Sequence, residues 1–128
     1  FPGGWDDDEN NAFHASERNE MQQGFHEFTR KLLNWRKSAK VIHSGELTQY
    51  MPENNLYVYF RTLGEETVMV VLNNSEIEQK LELRRFAENI NGANSGKEIL
   101  SGKDIRLNTE FTVKAKTPLV IELIKSKE

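Results

Sequence analysis

The sequence contains no cysteine, which excludes disulfide bonds, thiolate metal sites and cysteine nucleophiles and fits any compartment. No apolar run approaches the roughly eighteen residues of a membrane-spanning helix, and the chain does not open on the hydrophobic segment of a signal peptide. It also lacks an excess of positive charge, because 17 Lys and Arg stand against 20 Asp and Glu. We therefore expect neither a nucleic acid nor a membrane as a partner.

The remaining composition is that of a globular protein. With 128 residues, the chain is long enough for one domain, or for one domain with an attached element. It begins at Phe1 without an initiator methionine. We therefore expect it to be a fragment or a processed product of a longer chain.

The pattern over about 20–38 predicts an amphipathic helix. Asn19 is a good N-cap, and Gln22 follows three residues later, as in a capping box. Gly24 weakens the helix, which must therefore depend on packing. Large apolar residues recur at intervals of three and four and form one face, the apolar stripe: Met21, Phe25, Phe28, Leu32 and Trp35. A stripe of this size needs a partner, which would be the following sheet, a second copy of the chain, or a part of the protein outside this sequence.

From residue 46 onward the pattern changes to that of short strands. Residues 66–72 are almost continuously apolar, which indicates a central strand covered on both faces. Asn89 to Gly96 is rich in Asn and Gly and is interpreted as a loop. The predicted strands are 46–50, 56–62, 66–72, 78–84, 97–100, 104–107, 110–116 and 118–125. The fold class is therefore mainly β, an antiparallel β-sandwich preceded by one amphipathic α-helix and an N-terminal loop.

Few residues form a pattern that carries chemistry. The three histidines lack metal-ligand spacing, and there is no phosphate-binding glycine loop and no nucleophile elbow. Asp6, Asp7 and Asp8 offer oxygens that could hold Ca²⁺, but they lack the alternating ligands and central glycine of an EF-hand loop. A solvated acidic loop is the simpler interpretation, and we expect no metal and no cofactor.

Two aromatic features are candidates for binding. Tyr57, Tyr59 and Arg61 share one strand face, which could stack on sugar rings or pack against the helix or a neighbouring domain. Trp5 follows two glycines and is either a binding residue or a buried anchor of its loop.

The chain resembles one known family along its whole length. Phe1-Pro2-Gly3-Gly4-Trp5, with Asn11-Ala12-Phe13, resembles the loop after the eighth barrel strand of neopullulanase- and cyclomaltodextrinase-like members of glycoside hydrolase family 13. Residues 28–37 resemble the last barrel helix of that family. Segments similar to its C-terminal sandwich follow in order: 41–42, 45–47, 57–61, 67–74, 100–102 and 118–123.

The resemblance implies a division of the chain and a role for each part. Residues 1–40 would be the last loop and helix of a truncated (β/α)₈ barrel, and residues 41–128 a Greek-key C-terminal domain of the α-amylase type. The parent enzyme would hydrolyse α-glucosidic bonds of starch, pullulan or cyclodextrin with retention, using two carboxylates. The family's catalytic carboxylates precede the matched segments, and Asp6, Asp7 and Asp8 do not match them. No catalytic residue is therefore assigned to this chain, which would be inactive alone.

The resemblance also implies binding residues and partners. The substrate-binding residues would be those of the loop at the rim of the cleft: Phe1, Pro2, Gly3, Gly4 and Trp5. The partners would be the catalytic barrel of the parent chain and, in the parent enzyme, an α-glucan. Two alternatives stay open, namely a free-standing carbohydrate-binding module and a homodimer formed through the apolar stripe.

Overall fold

The computed structural model describes residues 4–125. The chain divides into two compact units, one ending at Trp35 and the other starting at Arg36. The helices are α1 (Glu20–Ser38), α2 (Lys40–Ser44) and α3 (Ala87–Ile90), with a 3₁₀ turn at Arg84–Phe86. The strands are β1 (Glu46–Gln49), β2 (Leu56–Leu63), β3 (Glu66–Asn73), β4 (Gln79–Glu82), β5 (Ala93–Glu98), β6 (Asp104–Arg106), β7 (Glu110–Val113) and β8 (Pro118–Lys125).

Helix α1 confirms the predicted bounds and the predicted cap. The Gln22 N–H donates to Asn19 Oδ1 at 2.9 Å, and the Asn19 N–H donates to Gln22 Oε1 at 3.0 Å. These two bonds are the reciprocal pair of a capping box and satisfy two backbone donors at the helix start. None of the helices in residues 4–125 is long and apolar enough to cross a membrane.

The strands form two antiparallel sheets. The larger has six strands in the order β1-β2-β3-β8-β5-β6, and the smaller pairs β4 with β7. Every strand pairing in the larger sheet is antiparallel as well. This arrangement confirms the predicted mainly β, antiparallel fold class.

The core lies between the two sheets. Alternate residues of β2 point inward, as the period of two predicts, so that Leu56, Val58 and Phe60 are buried. The small sheet contributes Leu81 and Val113, which are also buried. Further members of this cluster are Met69, Val71, Leu83, Phe86, Ile90, Ala93, Leu107 and Ile121.

Strand β3 is covered on both faces, as its apolar run predicts. All residues from Thr67 to Val71 are buried, and β3 lies between β2 and β8. Helix α2 packs against β2 and β3, and its Val41 and Ile42 are buried. Helix α2 cannot be predicted from the sequence pattern, because five residues are too few to display a helical period.

The prediction of a loop at Asn89 to Gly96 is wrong for its second half, because β5 already begins at Ala93. The glycine that suggested a loop is required inside the sheet. A Cβ on Gly96 would lie 2.9 Å from the Glu122 carbonyl oxygen and would collide with Ile121 Cγ2. The predicted strands 78–84, 97–100 and 110–116 also extended beyond the observed β4, β5 and β7.

Candidate functional site

The N-terminal loop exposes the one tryptophan that precedes α1. The Trp5 side chain is 79 % exposed, whereas the Trp5 backbone N–H donates to Asp8 Oδ2 at 3.0 Å and the Trp5 carbonyl accepts the Asp8 backbone N–H at 3.0 Å. Gly4 has φ +111°, and a Cβ there would lie 2.6 Å from Phe13 Cδ2. A turn therefore fixes the backbone and leaves the indole in solvent. The other predicted binding residues, Phe1, Pro2 and Gly3, lie outside the described residues.

A hydrogen-bond network ties the rest of this loop to the start of α1. The Asn10 side-chain amide donates to the Glu17 carbonyl at 2.6 Å and to Gln22 Oε1 at 2.5 Å. Arg18 Nε donates to the Ala12 carbonyl at 2.6 Å. Gln22 therefore serves both the loop and the helix cap, and the loop has a defined conformation within its own unit.

The acidic residues of the loop were the candidates for a Ca²⁺ site. Within residues 4–125, no group of three His, Cys, Asp or Glu side chains lies close enough to hold a metal ion. Asp8 instead closes the turn at Trp5. Asp6 and Asp7 are exposed, as in a solvated acidic loop.

The apolar stripe of α1 remains in contact with solvent. Met21 is 73 % exposed and Phe25 67 % exposed, and no residue of α1 is buried. The most covered members of the stripe are Leu32 and Trp35, which are partly buried. Side chains of this size gain most free energy when they are fully buried, so the stripe has the character of an unfilled contact surface.

The tyrosine pair lies on the face of β2 that points away from the core. The rings of Tyr57 and Tyr59 are 5.6 Å apart and tilted by 39°, and the Tyr57 hydroxyl donates to Gln49 Oε1 at 2.7 Å. Arg61 Nη1 donates to the Gly45 carbonyl at 2.9 Å. Burial, followed by the neighbouring Tyr57, raises the pKa of the Tyr59 hydroxyl. Both tyrosines remain half-buried.

A cleft of about 280 Å³, which no sequence pattern predicted, lies beside Tyr50 and Arg85. Its lining includes Tyr50 and Met51 after β1, Lys80 and Glu82 on β4, and Arg85 on the 3₁₀ turn. These residues come from three separate segments of the chain. The lining residues belong to two different sheets and to the loops beside them, so no local spacing could have indicated the site.

A comparison with known protein families identifies the type of domain that carries these features. The family model for the cyclo-malto-dextrinase C-terminal domain matches residues 47–122, which is more than half of the chain. The chain belongs to this family. The match begins in β1 and ends in β8, so it includes both sheets of the sandwich.

Solved structures share the fold of this cyclomaltodextrinase-type domain. An Anoxybacillus α-amylase matches with a TM-score of 0.71 and 19 % identity, over 98 % of this chain and 27 % of its own length. The acarbose complex of a Geobacillus thermoleovorans α-amylase matches at 0.72 and 17 %, over 98 % and 27 %. A maltogenic α-amylase from Thermotoga neapolitana matches at 0.66 and 20 %, over 92 % and 29 %. The chain thus spans about a quarter to a third of the length of these enzymes.

Proposed function

We propose that this chain is the C-terminal part of an α-glucan-active glycoside hydrolase of the neopullulanase and cyclomaltodextrinase type. Residues 1–40 contribute the last loop and helix of a (β/α)₈ catalytic barrel, and residues 41–128 form a sandwich that stabilises the barrel. The observation that carries the proposal is the match of residues 47–122 to a C-terminal domain family named after such an enzyme. The division of the chain within α1, after Trp35, also supports it.

The exposed apolar stripe supports the same assignment. Met21 and Phe25 gain little free energy in the unit that contains them, because about two thirds or more of each side chain is exposed. The neighbouring helices of a barrel would bury both. The catalytic carboxylates then belong to earlier barrel strands, and Phe1 to Trp5 border the substrate cleft, where barrel loops carry function.

The assay that tests this proposal compares the 128-residue chain with the same chain extended by its upstream coding sequence. We expect the extended chain to hydrolyse cyclodextrin, pullulan or starch, and the 128-residue chain to give no turnover above a buffer blank. Within the extended chain, Trp5→Ala should raise KM. Ile77→Ala, an exposed apolar residue of the sandwich, is the matched control and should leave KM unchanged. Turnover by the short chain, or none by the extended chain, would contradict the proposal.

A homodimer is the second candidate, and the same exposed stripe favours it. Two copies that joined their stripes would bury Phe25 and Trp35. Sedimentation of the 128-residue chain would then show a concentration-dependent dimer, and the double substitution Phe25→Ala with Trp35→Ala would weaken it. A monomer at all concentrations would exclude this candidate and leave the barrel as the proposed partner.

The third candidate is a free-standing carbohydrate-binding module, which the exposed Trp5 and the tyrosine pair favour. Titration with malto-oligosaccharides, followed by tryptophan fluorescence, would then show saturable binding that Trp5→Ala or Tyr57→Ala abolishes. An unchanged spectrum would exclude binding at Trp5.

A further inference from the structure

The cleft beside Tyr50 and Arg85 is lined by both apolar and polar side chains. The Phe86 ring stands edge-on to Tyr50, with ring centres 4.8 Å apart, and Met51 is 79 % exposed at the rim. Leu56, Val58 and Leu81 complete the apolar lining. A ligand that fits here must present an apolar face as well as hydrogen-bonding groups.

Arg85 is held in position for recognition. Its Nη1 lies 3.0 Å from Glu53 Oε1, its Nη2 donates to the Met51 carbonyl at 3.0 Å, and its guanidinium carbon lies 5.7 Å from the centre of the Tyr50 ring. A guanidinium has five N–H donors, more than these two partners use. Arg85 can therefore donate to a ligand without leaving its place, which reduces the entropy lost on binding.

The charges of the cleft favour a neutral ligand. Two cations, Lys80 and Arg85, and two carboxylates, Glu53 and Glu82, contribute to its lining. Because the signs balance, the lining attracts neither an anion nor a cation strongly, while it offers both donors and acceptors. A molecule with many hydroxyl groups and an apolar face satisfies all of these conditions.

The size of the cleft sets the extent of the ligand. Its volume of about 280 Å³ lies near the lower end of small-molecule sites. We infer that the cleft binds one pyranose ring of a neutral sugar chain, apart from any site at the N-terminal loop. The choice of an α-linked glucose unit rests on the proposed function, whereas the cleft itself does not.

The test is a titration of the isotope-labelled 128-residue chain with maltose, followed by amide NMR spectra. We expect saturable shifts at Met51, Asn54 and Arg85. Inorganic phosphate is titrated in parallel as the anionic probe and should leave these amides unchanged. A titration with glycerol tests whether any small polyol has the same effect, and it should not saturate.

Two variants connect the shifts to the cleft. Glu82→Ala removes an exposed acceptor from the lining and should weaken maltose binding about fivefold, the value of one typical hydrogen bond. Glu66→Ala removes a similar exposed carboxylate from the opposite end of the β2–β3 hairpin and should leave the affinity unchanged. Equal affinity in both variants would overturn the inference.

Three results of the titration would also overturn it: no shift with maltose, shifts centred on Trp5 or on Tyr57 and Tyr59, or saturation with phosphate instead of sugar. These outcomes are distinct from failure of the proposed function. An extended chain without glucan hydrolysis would reject the parent activity and leave maltose binding at the cleft intact. If the extended chain hydrolyses glucan but the cleft does not bind maltose, only this inference is rejected.

Discussion

At the scale of single residues, Asn73 joins the two sheets. Its side chain is buried, and its Nδ2 donates to the carbonyls of Ile77, Val113 and Lys114 at 3.0, 3.1 and 3.0 Å. Its Oδ1 accepts the Ser75 N–H at 2.9 Å and the Ser75 hydroxyl at 2.7 Å. One amide therefore connects the end of β3 to β7 through three backbone carbonyls and holds the backbone N–H of Ser75.

Replacement of Asn73 should destabilise the sandwich. We expect Asn73→Ala to lower the free energy of unfolding by about 1–3 kcal/mol, because the buried Val113 carbonyl and the partly buried carbonyls of Ile77 and Lys114 each lose a donor. Asn74→Ala, at the exposed neighbouring position, should change it by less than about 0.5 kcal/mol. Urea unfolding, followed by circular dichroism, measures both. Equal effects would show that the buried amide has no special role.

Glu98 makes the sandwich sensitive to acid. Its carboxylate accepts the N–H groups of Ser101 at 2.7 Å, Leu100 at 3.0 Å and Val120 at 3.4 Å. Burial has the largest single effect and raises the pKa of Glu98, but the hydrogen bonds from these three residues together hold that pKa below its ordinary value. The folded chain thus binds this proton less readily than the unfolded chain.

The sign of the pH effect follows from that lowered pKa. Glu98 contributes stability at pH values above the ordinary carboxyl pKa of 4.5, and the contribution is lost as the pH falls through the lower pKa of the folded state. We expect the Glu98→Gln variant to be less stable than the unsubstituted 128-residue chain at pH 7. The difference in stability between the two should shrink towards pH 3. Urea midpoints across this range measure it, with Glu66→Gln as an exposed control. A difference that stays constant with pH would contradict this account.

At the scale of secondary structure, β5 shows why a glycine-rich segment can be a strand. Gly96 packs against Ile121 and the Glu122 carbonyl, and a Cβ there would force one of these groups to shift. Gly24, in the second turn of α1, has no atom within 4 Å of an added Cβ apart from its own helix backbone. The two glycines therefore predict opposite results for the same substitution.

We expect Gly96→Ala to destabilise the sandwich by about 1–3 kcal/mol, the usual cost of overpacking. Gly24→Ala should raise the helical stability of α1 by about 0.5–1 kcal/mol, because alanine is the better helix former. Thermal unfolding by circular dichroism separates the two effects. A neutral Gly96→Ala would mean that the sheet can shift to admit a methyl group.

Sequence patterns predicted the elements whose signals are local. The period of α1, its cap at Asn19 and the alternation in β2 depend on neighbours within a few residues, and the structure confirms all three. Helix α2 and the helical turns before β5 are too short to show a period, and the role of Gly96 depends on β8, far along the chain. Contacts between residues so far apart in the chain cannot be predicted from the pattern of a short sequence segment.

At the scale of the whole molecule, the candidate sites also differ in whether local sequence patterns could predict them. The exposed Trp5 and the tyrosine pair lie in short segments that could be singled out from the sequence. The cleft is lined by residues of the larger sheet's β2 and of the loop before it, and by residues of β4 in the smaller sheet and of the turn that follows it, so that Lys80 and Arg85 line the same cleft as Tyr50. Its residues could be recognised only once the topology was known.

The central claim is that the apolar stripe of α1 packs against a part of the protein upstream of this chain. Amide hydrogen exchange measures it most directly, in the 128-residue chain and in the chain extended by its upstream coding sequence, with the amides of β3 as the internal reference. We predict that the amides of α1 exchange rapidly in the 128-residue chain and are strongly protected in the extended chain. The amides of β3 should be protected equally in both chains. Equal exchange of α1 in the two chains would contradict the account.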